Sequence, residues 1–196
     1  MRENILKKIK KLFLYKLLFF SFFITSANSS EKWYLDKNLS EISFEVTIFL
    51  ASNVRGVFRN IEGLVEIDLY KKINNKAIFS VEINSININY NKYLDLLLSP
   101  IFFNSTKYPL STLDTKNFSY TENSKKQIEV ELWIKGKSQK IPLEFTINKL
   151  TNDLVKVTGH LIFLRSDFNI GTGKWQNTTF LKDEVKVSYN IFLFKE

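Results

Sequence analysis

The chain has 196 residues, 44% of them apolar, with one His and no Cys. That length suits a single domain with a real core, and the missing cysteine excludes disulfide staples, thiol catalysis and thiolate metal sites. The formal charge of +8 invites a nucleic-acid reading, yet Met1 to Ala27 alone holds Arg2, Lys7, Lys8, Lys10, Lys11 and Lys16 against Glu3. The remainder is only mildly basic, without a cationic cluster, so no nucleic-acid partner is expected.

The first 27 residues read as an export signal. A basic stretch, KKIKKLFLYK, precedes the apolar run LLFFSFFITSA, and small residues follow at Thr25, Ser26, Ala27 and Ser29. That is the order of a signal peptide, with cleavage expected after Ala27 and the bond after Ser29 as the alternative. The run is shorter than the roughly 20 residues that span a bilayer, although an uncleaved anchor helix stays open. No Cys follows it, so a lipoprotein anchor is excluded.

Beyond Trp33 the dominant period is two, the mark of half-buried strands. Ile42, Phe44, Val46 and Ile48 alternate with polar residues, as do Val65, Ile67 and Leu69, then Phe79, Val81 and Ile83. A non-alternating stretch, LDLLLSPIFFNSTKYP (94–109), interrupts the pattern, and the surrounding segment from Asn87 to Ser105 is the expected place for a short helix. A weaker strand follows from Leu110 to Phe118. Four strong alternations close the chain: Ile128 to Ile134, Ile141 to Ile147, Val155 to Phe163 and Val185 to Leu193. Short turns such as INNK (73–76), TENSKK (121–126), KGKSQK (135–140) and LTND (150–153) predict antiparallel pairing of neighbours. About eight strands without a long amphipathic helix predict an all-β sandwich or closed barrel. A barrel of that size is filled by side chains or holds one small ligand, and the pattern leaves both open.

Catalytic motifs are missing from the sequence. His160 stands alone on the polar parity of its strand, with no nucleophile–base spacing around it. GTGKW (171–175) lacks the Walker spacing and reads as a mobile loop between strands. Glu129 and Glu131 are a solvated strand face. No catalytic residue, metal or cofactor is expected.

Several segments together resemble one family. WYLDKNLSEISFEV carries Trp33, Asp36, Ser40, Ile42 and Phe44 of its opening strand, and ASNVRGVFRNIEG carries Ser52, Asn53, Val54, Arg55, Gly56, Phe58 and Gly63 of its signature. Ser85-Ile86, FFNSTKYP with Phe102, Phe103, Lys107, Tyr108 and Pro109, LWIKGKSQKIPLEFTI, and FLRSDFNIG with Arg165, Ser166, Asp167, Phe168, Ile170 and Gly171 follow in the same order. The chain resembles the YceI-like family of exported polyisoprenoid-binding proteins over nearly all of the mature sequence, with residues 32–196 as its domain.

The resemblance implies an antiparallel eight-stranded lipocalin-like β-barrel with an apolar tunnel. It also implies a non-catalytic binder of isoprenoid quinone or polyprenyl lipid in the periplasm or outside the cell. On that basis the expected ligand contacts are the inward residues Phe44, Val46, Phe58, Phe79 and Val81. Leu132, Phe145, Phe163 and Phe168 join them, with Leu97, Phe102 and Phe103 from the non-alternating stretch. Arg55 and Arg165 are included as residues that either clamp a polar head group or pair with Asp167 or a loop carbonyl. Gly56 and Gly63 are expected at a tight turn and a bulge. The chain departs from the family at Leu39 and Ile48, where relatives often carry His, and at Tyr93-Leu94-Asp95-Leu96, where they show Arg-Asp-x-His. Transient membrane contact and a homodimer remain open, as do two rival readings: an interaction module with a filled barrel, and an enzyme acting within it.

Overall fold

The computed structural model describes residues 30–50, 53–68, 73–119 and 125–195. The expected signal segment, Ser52, Leu69 and most of the TENSKK turn lie outside them. Eleven strands form one antiparallel sheet: β1 (Ser30–Leu35), β2 (Glu41–Ile48), β3 (Val54–Phe58), β4 (Ile61–Asp68), β5 (Lys76–Glu82), β6 (Ile86–Ile88), β7 (Leu110–Asp114), β8 (Lys125–Ile134), β9 (Lys137–Lys149), β10 (Leu154–Leu164) and β11 (Leu181–Lys195).

Three pairs of these strands are single staves of the wall, each broken by a kink. Both β1 and β2 pair with β11, Leu35 opposite Leu193 and Glu41 opposite Asn190, so residues 36–40 bulge out of one continuous stave. Ser40 closes that bulge, its Oγ accepting from the Phe192 amide at 2.9 Å. Likewise β3 and β4 follow β2 and β1, and β5 and β6 follow β4 and β3, a single turn at Ile83–Ser85 making the last kink. The result is a closed eight-stranded antiparallel barrel, sealed where β1 meets β11. The eight alternating runs of the sequence map one to one onto its staves. Closure pairs every strand on both sides except the three-residue β6, so among the described residues only that short edge is open for another chain to extend.

Alternation decides which side chains enter the barrel. Ile42, Phe44, Val46 and Ile48 point inward from β2, and Val185, Val187, Tyr189, Ile191 and Leu193 from β11. The outer face carries ion pairs such as Lys125 Nζ to Glu144 Oε2 at 2.5 Å and Lys140 Nζ to Glu129 Oε1 at 3.2 Å. The hydrogen bond from Lys125 holds the Glu144 carboxyl below its usual range. His160 lies on this outer face, 3.7 Å from the same carboxylate.

The expected helix is present as α1 (Leu94–Leu98), preceded by a single turn at Asn91–Tyr93. The segment 94–109 caps one end of the barrel. The tight β8–β9 hairpin reaches it: Lys135 and Gly136 both hold positive φ (51° and 74°), as a two-residue hairpin of right-handed twist requires. Lys135 Nζ donates to the Pro100 and Asn169 carbonyls at 2.8 and 2.7 Å, fastening the cap to the β10–β11 connection. That connection contains GTGKW and is not the loose loop expected: the Gly171 and Thr172 amides both donate to the Ile101 carbonyl.

The readings of Gly56 and Gly63 are corrected. Neither makes a turn or a bulge; both are in register within strands, Gly56 opposite Phe44 and Gly63 opposite Phe79. The aromatic ring lies over the glycine, so that an added Cβ at Gly56 would stand 2.6 Å from Phe44 Cζ. Gly159, opposite Tyr189, repeats the arrangement. A ring folded flat on the wall occupies less of the lumen than one standing upright.

Candidate functional site: an apolar cavity along the barrel

The barrel encloses a cavity of about 600 Å3, within the range of roughly 300–1,000 Å3 typical of small-molecule sites. Lining residues on β11 run from Leu181 to Leu193. At ~3.3 Å per residue and a strand tilt of roughly 40°, that run corresponds to a channel roughly 30 Å long.

The two ends differ. At one end Trp33, Ala77 and Phe118 are buried, and Phe118 meets Phe145 edge to face at 6.2 Å. At the other end the lining includes Phe49, Lys92, Tyr93 and Phe180, all exposed. No other lining residue among those described is exposed, so the mouth lies between the β2–β3 loop, α1 and the β10–β11 connection. Phe102 and Phe103 are buried just inside it, Phe102 edge to face with Trp175 at 5.6 Å.

Of the fourteen expected contacts, twelve line the cavity: Phe44, Val46, Phe58, Phe79, Val81, Leu97, Phe102, Phe103, Leu132, Phe145, Phe163 and Arg165. Two do not. Phe168 is fully buried behind the wall, its ring 5.3 Å from that of Phe163, because the turn after β10 carries it out of the strand alternation. Arg55 projects from the outer face of β3, where Glu45 accepts from its Nε at 2.6 Å and from the Asn53 amide group. Hydrogen bonds from Asn53 and then Arg55 hold the Glu45 carboxyl below its usual range.

Arg165 reaches the lumen wall, but its guanidinium is committed to backbone. Nη1 donates to the Ile170 carbonyl at 2.9 Å, Nη2 to Leu181 at 2.8 Å and Nε to Lys182 at 3.0 Å. Of the two roles open to it, the loop-carbonyl role is the one its geometry displays; Asp167 is not its partner. Burial lowers its pKa, yet an arginine stays charged. The side chain acts as a clamp on the two ends of the β10–β11 connection.

Several lining residues escaped the sequence-based set. Tyr189 shared the inward parity of β11 and donates its hydroxyl to the Glu144 carbonyl at 2.5 Å. Trp175 and Phe180 sat in a stretch with no period, and only the folding-back of the β10–β11 connection brings them to the mouth. Ser111 Oγ and Trp175 Nε1 are buried in the wall without a hydrogen-bond partner. The positions that depart from the family pattern also sort themselves: Ile48, Tyr93 and Leu96 gather at the mouth, whereas Leu39 is exposed on the bulge.

Among the described residues no group of three or more His, Asp or Glu is placed to hold a metal, and no helix is long and apolar enough to cross a membrane.

Solved structures share this architecture. BcnA of Burkholderia cenocepacia superposes with a TM-score of 0.73 at 23% identity, covering 81% of this chain and 98% of that one. A polyisoprenoid binding domain from Saccharophagus degradans gives 0.67 at 15% identity, over 84% and 98%. The Campylobacter jejuni YceI protein gives 0.65 at 23% identity, over 76% and 89%. No curated protein sequence matches significantly. The sequence profile of the YceI-like domain matches residues 33–193, almost the whole barrel. The chain is therefore a member of the YceI-like family.

Proposed function

We propose that this protein is an exported, non-catalytic carrier that holds one long isoprenoid-type chain, an isoprenoid quinone or a polyprenyl lipid, for transport or storage. The observation that carries the reading is the long apolar channel. It is walled mainly by Phe, Leu, Ile and Val, and its exposed lining residues gather at one end. A chain bound by area gains roughly 25 cal/mol for each Å2 removed from water, so a long uniform hydrocarbon suits it better than a polar metabolite. Support for an isoprenoid comes from family membership and from the Saccharophagus degradans neighbour, whose structure is that of a polyisoprenoid binding domain.

The basic and apolar segment before Ala27 supports export to the periplasm or beyond. The rival reading, an interaction module with a filled barrel, is disfavoured by the continuous cavity. An enzyme is disfavoured because the described lining residues include no nucleophile–base pair; His160 is outside.

Protein purified from cells, extracted with organic solvent and analysed by mass spectrometry, is expected to yield a stoichiometric long-chain isoprenoid. Apo protein in native mass spectra, together with no uptake of added quinone, would refute the reading.

A further inference from the structure

Exposed apolar side chains surround the mouth of the channel among the described residues. Leu50 is 91% exposed, Phe49 50% and Phe180 49%. The Phe49 amide donates to the Phe180 carbonyl at 2.8 Å, so the two loops stand side by side as one ridge. Leu50 holds a left-handed φ of 57° at its tip, and it is not part of the cavity wall. Tyr93 faces the ridge across the opening, and the Trp175 ring lies 6.1 Å from that of Phe180.

Cations accompany these rings. Lys92 Nζ stands 5.0 Å above the Tyr93 ring and Lys174 Nζ 5.7 Å above Trp175. Lys182 is exposed at the start of β11. Of the carboxylates at this end, Glu45 is held by Arg55 and Asn53, and Asp183 accepts from Ser166. Asp95, Asp167 and the exposed Glu184 at the start of β11 are the remaining acids among the described residues. Aromatic rings with lysines beside them, next to an exposed aliphatic tip, are the composition of a surface that sits at a bilayer interface.

We propose that this end of the barrel docks on an anionic lipid bilayer. Leu50, Phe49 and Phe180 enter the interfacial layer, and Lys92 and Lys174 meet the head groups. The channel then opens directly into the bilayer, and a hydrocarbon chain passes between them without crossing water. The inference rests on the reading of the cavity as a lipid site, and its test separates the two.

The mature chain and two variants, L50N and K174Q, are compared by co-sedimentation with phosphatidylcholine vesicles containing phosphatidylglycerol, and with neutral phosphatidylcholine vesicles. Asn tolerates the left-handed conformation at position 50, so L50N keeps the fold. Wild type is expected to bind the anionic vesicles more tightly than the neutral ones, and less so at high salt. L50N is expected to lose about tenfold in partitioning, and K174Q to lose part of the preference for anionic lipid. Uptake of a quinone delivered from dilute ethanol without vesicles should be the same in wild type and L50N. No vesicle binding by wild type, or equal binding by L50N, overturns the docking. So does a concentration-dependent dimer that L50N abolishes, which would make the ridge a contact with a second copy. Failure of quinone uptake in wild type refutes the cavity reading instead, and the vesicle data judge docking separately.

Discussion

Replacing Gly56 by Ala tests whether the glycines under aromatic rings keep the channel open. The new methyl would lie 2.6 Å from Phe44 Cζ and 2.9 Å from Ile88 Cγ2, where carbon atoms prefer roughly 3.5–4.0 Å. The Phe44 ring must therefore swing inward by about 1 Å or more, and the lumen is the one direction with room. Overpacking of this kind costs about 1–3 kcal/mol; because the ring has space to move into, the lower half of that range is expected. Phe44 lines the channel, so the same swing narrows it. Gly159→Ala is the contrast. There the methyl would overlap the Glu144 carbonyl oxygen of the paired strand and stand 2.8 Å from Tyr189 Cζ. Backbone cannot retreat as a ring can, and the Tyr189–Glu144 hydrogen bond is lost as well, so a cost of about 3 kcal/mol or more is expected. Urea denaturation gives the two stabilities, and quinone retention by native mass spectrometry gives the capacity. G56A should stay folded and lose retention; G159A should lose stability first. Wild-type retention in G56A, or a stability loss no larger in G159A than in G56A, would refute the argument.

Arg165→Ala should cost at least about 3 kcal/mol by denaturant midpoint, because the buried Ile170 and Leu181 carbonyls lose their donors. R165K should recover little, since an ammonium cannot reproduce the fork; unchanged midpoints would show that the clamp is dispensable. Burial raises the Tyr189 phenol above its ordinary 10.0, so the folded state favours the protonated form. That contribution is complete below pH 10 and is lost as pH climbs through the raised folded value. Stability should therefore fall at alkaline pH, and Y189F should show a shallower fall; identical slopes would contradict the assignment. Ser111→Ala removes a hydroxyl that has no partner. It should leave the empty protein's stability nearly unchanged, and weaken a carbonyl-bearing chain by about fivefold relative to a plain isoprenoid hydrocarbon, one neutral hydrogen bond. Equal loss for both ligands would place the hydroxyl away from the head group.

The strand parity was legible because period two is a local property. Phe44, Val46, Phe145 and Phe163 could be assigned to the lumen from their neighbours alone, and the eight runs already had the number of staves. The same logic failed where the chain leaves regular strands. Phe168 shares the apolar character of its neighbours, but a turn carries it behind the wall. Arg55 could be read as a head-group clamp or as a structural pair, and the fold makes it an outer-face partner of Glu45. Gly56 and Gly63 suggested turns because a lone glycine in a strand has several uses, and only the ring on the adjacent stave selects one.

The sequence by itself determined the all-β class, the inward faces and the absence of catalytic spacing, since each depends on residues a few positions apart. Tertiary structure alone decided the mouth. Phe49, Tyr93, Trp175 and Phe180 lie on three separate connections, and none has a periodic pattern to mark its role. They meet because barrel closure brings the ends of β2, β6 and β11 to the same rim. The non-alternating stretch 94–109 could be seen in the sequence as apolar side chains in need of cover. Folding supplied that cover, with Phe102 and Phe103 packed inside the rim against Trp175 and the channel.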